Sequence, residues 1–368
     1  MGASDTMSVT SGKTRPSLTQ EILSHLGLAN KTAAWGTLGT LRTFLSFSVD
    51  KDVQRLLRAI ASQGVDRSAI VGVLTNRSRE QRQLISRAFQ ERTQQDLVKS
   101  LQAALSGNLE RMVMALLQPA AHFDAQELRT ALKNPGSTED VAVEILATRS
   151  PPQLQECLTV YKHSKSTGTH DGASALHPGN YRISTLEKIG RIQRAPDPTP
   201  DFQLEVEKDI KSETSGILRD LLLALAKGAR ESYSGIIDYN LVEDDVQALK
   251  QAEGAVFDQY QRCSGHELEK TIQNIFHGDD QAALLSLVSV IKNTPLYFAD
   301  KLHQALQDMG PNYQVLMRIL ISRSETDLLS IRAEFKKKFG KSLYSSLQDA
   351  VKGDCRSALL ALCRAEDL

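Results

Sequence analysis

The sequence is short of nearly everything that marks an extracellular, membrane-spanning or nucleic-acid-binding chain. Its four cysteines, Cys157, Cys263, Cys355 and Cys363, form no CxxC pair and have no closely spaced histidine partners. That argues against a disulfide or metal role and for free thiols in a reducing compartment. No stretch approaches the roughly 20 apolar residues of a spanning helix, and Met1–Pro16 is Ser/Thr-rich without an apolar core. The expectation is a cytoplasmic protein, not secreted by a signal peptide, that meets membranes only peripherally. Net charge is also missing, with 44 Lys+Arg against 44 Asp+Glu, so nothing asks for nucleic acid as a partner. The eight histidines give no HExxH, and no Ser or Cys nucleophile has a traceable base. Gly340-Lys341-Ser342 ends like a phosphate loop, but the first glycine of that motif would fall on Phe335. An enzyme is not expected. Aromatics are only 5%, and Gly and Pro are sparse outside a few places, a profile that favours helices over sheets.

What is present is a repeat. After Gly107, Gly216, Gly278 and Gly353, positions +5, +6, +9 and +10 are apolar in every copy. Those offsets trace one face of an amphipathic helix, and Cys363 falls on one of them as a small buried hydrophobe. A second landmark is LTNRSREQ, LATRSPPQ and LISRSETD, centred on Ser78, Ser150 and Ser324. Gln or Asp three residues after each serine predicts a capping box at a helix start. A third is a glycine fourteen residues before each serine, at Gly64, Gly136 and Gly310.

These landmarks act as a ruler. The capping serine precedes the marker glycine by 29 residues in the first and last copies, but by 66 in the second. Phe89, Tyr161 and Phe335 all lie eleven residues after their serine, so the excess falls later, at about 164–200. That stretch contains Pro178, Pro196, Pro198 and Pro200 with several Gly and Ser, and reads as a disordered loop. The third copy is shortened instead. Leu249 stands 11 residues before Tyr260, where Ile60, Leu132 and Leu306 stand 29 before their aromatics. Roughly one loop and one helix are missing near Gly254. The expected organisation is an arm over 1–49 and four repeats over 50–118, 119–228, 229–292 and 293–368.

Four copies of about 70 residues, with a short glycine loop, an R-S helix start and an S-G helix start, resemble the annexin repeat. The wording of LTNRSREQRQLI (74–85), FDAQELRTALK (123–133), SETSGILRDLLLAL (212–225) and KNTPLYFADKL (292–302) carries the likeness. It implies an all-α fold with five helices per repeat, four repeats in a curved disk, and binding to anionic phospholipid through loops on the convex face. In the family, backbone carbonyls of a glycine loop and one distant carboxylate hold a bridging calcium ion, a hard cation suited to oxygen ligands in flexible geometry.

Carried over residue by residue, the resemblance leaves little of that chemistry. Copy one places Ser62 and Gly64 in the loop and Ala104 at the carboxylate position. Copy three has Ile275 there and no loop, and copy four has Asp308 and Gly310 in the loop but Ala350 at the acid position. Asp349 is adjacent, yet one step on a helix turns it about 100° away. Only copy two keeps a candidate calcium site, from Leu132, Asn134, Gly136 and Glu213, and Asn134 and Pro135 restrict its loop. Calcium dependence is therefore expected to be weak or absent.

Before the repeats, Leu18–Leu28 forms a short amphipathic segment with Ser17 as N-cap, and Ile22, Leu23 and Leu26 share one face. It resembles the arm through which another family member docks in a small dimeric EF-hand protein, a helix-in-groove mode. A helical scaffold that binds a protein partner is thus the alternative to a lipid binder. Trp35 reads as a packing anchor for the arm, and Lys336–Lys338 as a solvated helix end. The lost helix of copy three leaves apolar faces uncovered, at roughly 1.5–3 kcal/mol per exposed Leu or Val, which predicts reduced stability or a homodimer closed through the gap.

Overall fold

A computed structural model describes residues 39–41, 47–62, 64–133, 139–166, 203–227, 261–262, 265, 267–307 and 310–365. Every element among them is helical. Repeat 1 is α1 (Val49–Ala61), α2 (Arg67–Leu74), α3 (Arg79–Thr93), α4 (Leu97–Ala104) and α5 (Gly107–Leu117). Repeat 2 is α6 (Ala120–Lys133), α7 (Glu139–Thr148), α8 (Pro151–Ser166), α9 (Gln203–Glu213) and α10 (Gly216–Ala226). Repeat 3 contributes α11 (Leu268–Ile275) and α12 (Gly278–Lys292). Repeat 4 is α13 (Thr294–Gln307), α14 (Tyr313–Arg323), α15 (Leu328–Phe339), α16 (Leu343–Ala350) and α17 (Cys355–Cys363). Repeats 1, 2 and 4 thus show the five helices that the resemblance implied. Ser17, Ile22, Leu23, Leu26, Trp35, Asn134, Pro135, Gly136, Leu249, Gly254, Tyr260, Cys263 and Asp308 lie outside the described residues, as do 167–202 and 228–260.

The repeats pair. α17 packs on α2 and α5, and α14 on α5, joining repeats 1 and 4. α12 packs on α7 and α10, joining repeats 2 and 3 in the same way. The two halves meet where α7 of repeat 2 faces α14 of repeat 4. There Arg318 donates through Nε and Nη2 to Glu144 at 3.2 and 2.9 Å, with both side chains buried. Nearby, Lys301 pairs with Asp140. On either side of the stretch 167–202, Tyr161 of α8 donates to Asp209 of α9 at 2.8 Å, and Val206 and Ile210 are fully buried. α8 runs to Ser166, slightly into the expected insertion.

The R-S landmark has a partner that the ruler did not reveal. Arg77 makes two bonds to Asp52, at 2.6 and 3.0 Å, and Arg149 makes two to Asp124, at 2.7 and 2.8 Å. In both copies the aspartate stands 25 residues earlier, so the arginine ties a repeat's first helix to its R-S turn. Beside it, Ser78 and Gln81 form the full capping box, and Gln153 accepts from the Ser150 amide at 3.1 Å.

Copy four corrects the expected cap at Ser324. The position 25 residues before Arg323 is Phe298, over whose ring the guanidinium sits at 4.7 Å. Arg323 turns instead to Asp327, the intended capping-box residue, and binds it through Nε at 2.7 Å. Ser324 then closes α14, its hydroxyl donating back to Ile321 at 3.0 Å, and α15 starts only at Leu328. The freed turn serves the end of the arm and the first repeat. Leu41 donates to the Ser324 carbonyl at 2.9 Å, and Glu325 accepts from the Arg79 amide at 2.9 Å and from Arg82 at 3.2 Å.

Candidate calcium and phospholipid site

The glycine loops of copies one and four close alike. Asp66 donates its amide to Ala59 at 2.9 Å, and Asn312 donates its amide to Ala305 at 2.8 Å. Each side chain then caps the next helix, accepting from Ala69 at 2.9 Å and from Val315 at 3.2 Å. Gly64 has φ +87° and Gly310 φ +150°, conformations that L side chains avoid. In copy one the Ser62 hydroxyl lies 2.9 Å from the Gly64 carbonyl oxygen and 3.2 Å from that of Ala59. One loop carbonyl there already accepts a hydrogen bond.

Opposite these loops, Ala104 and Ala350 are half-buried and bring no oxygen. Asp349, the neighbour of Ala350, is exposed and paired with Lys341. In repeat 3, Ile275 is 62% exposed at the end of α11, an apolar group on the surface where the family pattern has an acid.

Repeat 2 differs. Leu132 at the end of α6 and Glu213 at the end of α9 line one cleft of about 230 Å³, together with Ser215, Gly216, His277 and Asp279. Glu213 is exposed and receives the Ser212 hydroxyl at 3.3 Å. The cleft joins the two parts of the candidate site that sequence spacing set 81 residues apart. Among the described residues, no group of three or more His, Cys, Asp or Glu stands close enough to hold a metal. A calcium ion here would depend on backbone carbonyls beside the Glu213 carboxylate, which is the donor set that suits this cation. The sequence reading did not include the acids that α12 brings to the cleft, Asp279 and Asp280. They stand one and two residues after a marker glycine, a position no landmark singled out.

The other buried charges belong to the frame. Asp124 and Glu144 hold Arg149 and Arg318 charged despite burial, raising both guanidinium pKa values. Burial pushes the Cys157 and Cys355 thiols up to about 12, which leaves them unreactive. Cys157, Cys355 and Cys363 are all buried thiols. No helix among the described residues is long and apolar enough to cross a membrane.

Comparison with known proteins places this architecture. The Annexin family model matches residues 51–116, 123–167 and 297–362. Human Annexin A9 is 71% identical over 382 aligned positions, covering 98% of this chain and all of the relative, and bovine Annexin A9 is 70% identical with the same coverage. Those alignments are longer than the 368-residue chain, so at least fourteen positions of each fall where it has no residue. Among solved structures, annexin III superposes with a TM-score of 0.70 at 31% identity, covering 91% of this chain and all of that one. The chain belongs to the annexin family, whose members bind phospholipid, typically through calcium.

Proposed function

We propose that this chain binds anionic phospholipid surfaces peripherally, in the cytoplasm, and that calcium contributes through repeat 2 alone or not at all. The cleft that joins Leu132 to Glu213 carries the reading. Among the described residues it is the place where the end of a loop-bearing helix and a carboxylate line one cleft. At Ala104, Ile275 and Ala350 the charged ligand is gone, and at Ser62 the loop satisfies its own carbonyl. Neutral atoms cannot replace the charge that a divalent cation needs, so those copies are degenerate, and lipid contact there rests on the surface itself.

Co-sedimentation with phosphatidylserine vesicles, with calcium and with chelator, tests this. Binding in both conditions, with a modest calcium gain that Glu213→Ala removes, is the expected result. No binding in either condition would reject the lipid reading and favour the scaffold alternative, in which Ile22, Leu23 and Leu26 dock into an EF-hand protein. A homodimer has its own support. α10 and α12 leave Leu221, Leu225, Leu284 and Leu287 half-exposed, an apolar face that a second copy could cover.

A further inference from the structure

The helix starts beside the glycine loops of copies one and four carry cations where repeats 2 and 3 carry acids. α2 starts at Arg67, three residues after Gly64, and α14 at Tyr313, three residues after Gly310. The junction of α16 and α17 lies between these two starts. Tyr313 donates its hydroxyl to the Lys352 carbonyl at 3.1 Å and accepts from the Lys352 amide at 3.3 Å. From the other side, Arg67 donates through Nη1 to Asp354 at 2.6 Å. The Lys352 backbone is thus tied down while the residue stays exposed. Asp354 stands at the N-cap of α17 but makes no cap bond there; its carboxylate serves Arg67 of repeat 1 instead. In repeats 2 and 3 the matching junctions expose Glu213 and Asp279, and Asp280 of α12 accepts from the Leu218 amide of α10 at 2.8 Å.

We infer that Arg67 and Lys352 form a contact for lipid phosphate groups that needs no calcium. The inference rests on the lipid reading given above and names the groups on the surface that this reading leaves at copies one and four. Arg67 is the first residue of α2, at the positive end of the helix dipole, where a cation is disfavoured. Its bond to Asp354 joins side chains that are 50% and 57% exposed, so the pair adds little to stability. Neither the helix nor the fold gains much from a cation there, whereas a ligand would. The bond uses one of five guanidinium N–H groups, and the planar fork matches two phosphate oxygens. Lys352 adds a second charge two residues from Asp354. Asp66 spends its carboxylate on the Ala69 amide, which leaves two cations against the single carboxylate of Asp354. The other copies lack both: Glu139 and Tyr313 stand at the position of Arg67, and Ser106, Ser215 and His277 at that of Lys352.

The test is co-sedimentation of the full chain with vesicles of phosphatidylserine and phosphatidylcholine, in chelator at low salt. Arg67→Gln and Lys352→Gln are each expected to weaken binding about fivefold, the worth of one cation near an anionic surface, and the double variant about 25-fold. Arg92→Gln is the matched control. Arg92 is also exposed and paired with an aspartate, Asp50, but at the start of α1, roughly 18 Å along that helix from the glycine loop. It is expected to stay within about twofold of the parent. Inorganic phosphate is expected not to displace the vesicles. Losses in Arg67→Gln and Lys352→Gln no larger than in Arg92→Gln would overturn the inference and leave the lipid reading standing. Release by inorganic phosphate would overturn it too, by assigning the cations to a free anion. A parent that sediments only with calcium would overturn the inference alone. A parent that sediments in neither condition would overturn the lipid reading and the inference together.

Discussion

Repeats 1 and 4 and repeats 2 and 3 pair through the same helices, but they bury them to different depths. At the four apolar positions after each marker glycine, α5 places Met112, Val113, Leu116 and Leu117 in the core, and α17 places Ala358, Leu359, Leu362 and Cys363 there. In α10 only Leu222 and Ala226 of the same four are buried, and in α12 only Ala283 and Val288. The pattern is equally apolar in all four copies, so the difference lies in what covers it. α5 has both α17 and α14 against it, whereas among the described residues the third repeat gives α10 only α12. A helix corresponding to α14 would fall within 228–260, outside the described residues. Among the described residues one half of the molecule is therefore a closed core and the other an open one, and the candidate calcium cleft lies in the open half.

If the halves are joined chiefly by the buried pair of Glu144 and Arg318, removing one partner has the largest effect. Glu144→Ala strands a guanidinium that is only 5% exposed, and a loss of about 3–5 kcal/mol is expected. Urea denaturation measures it. A loss below about 1 kcal/mol would mean that packing alone joins the halves. Matched truncations then compare the cores directly. Leu116→Ala in α5 and Leu225→Ala in α10 change the same repeat position. The first empties a closed site and is expected to cost about 3 kcal/mol, within the range for buried leucines. The second, half-exposed, is expected to cost about 1 kcal/mol because less area leaves contact. Equal costs would show that the open half is covered after all.

The architecture was legible because it is periodic. Apolar offsets from four glycines set the helices, and Phe89, Tyr161 and Phe335, placed by spacing alone, are all fully buried. Ser78 and Gln81 form the box their spacing predicts. What the sequence hid were interactions between copies. Nothing local says that Phe298 in place of an aspartate will send Arg323 to Asp327 and cancel the cap at Ser324. Nor does the text around Gly278 show that Asp280 will cap a helix of repeat 2. The spacing of Asp52 to Arg77 and of Asp124 to Arg149 was readable as a shared interval of 25, but copy four breaks it. The candidate site was legible as a pair, Leu132 with Glu213, since the ruler aligned both. Its acidic far wall was not, because it comes from the shortened repeat.

A smaller effect on stability, but a direct one on chemistry, comes from rebuilding copy one. Ser62→Gly frees the Gly64 carbonyl, and Ala104→Glu restores a carboxylate on α4. The double variant is expected to gain a calcium site, counted by calorimetry, with its unfolding midpoint nearly unchanged. The closed half would then carry a calcium site beside the one proposed for the open half. Calorimetry that shows no added site would mean that more than these two positions separates the loops.

The smallest expected effect concerns Glu127, at the seam between the halves. Desolvation raises its pKa, opposed by Arg318 and reinforced by Glu144 and Asp124. Arg318, the cation that acts on it, is already committed to two bonds with Glu144, so burial outweighs its pull. A carboxyl whose pKa is higher folded than unfolded weakens the fold once pH exceeds the folded value. That penalty fades as pH falls through the folded value, and it is absent below the ordinary carboxyl range. Glu127→Gln removes the charge and keeps the shape, so its melting temperature should exceed the parent's at pH 7.5. The gap should close as pH falls toward 4, where the parent is protonated as well. A gap that stays constant with pH would trace the gain to packing, and a variant less stable at pH 7.5 would show that Glu127 shares in the ion pairs of the seam.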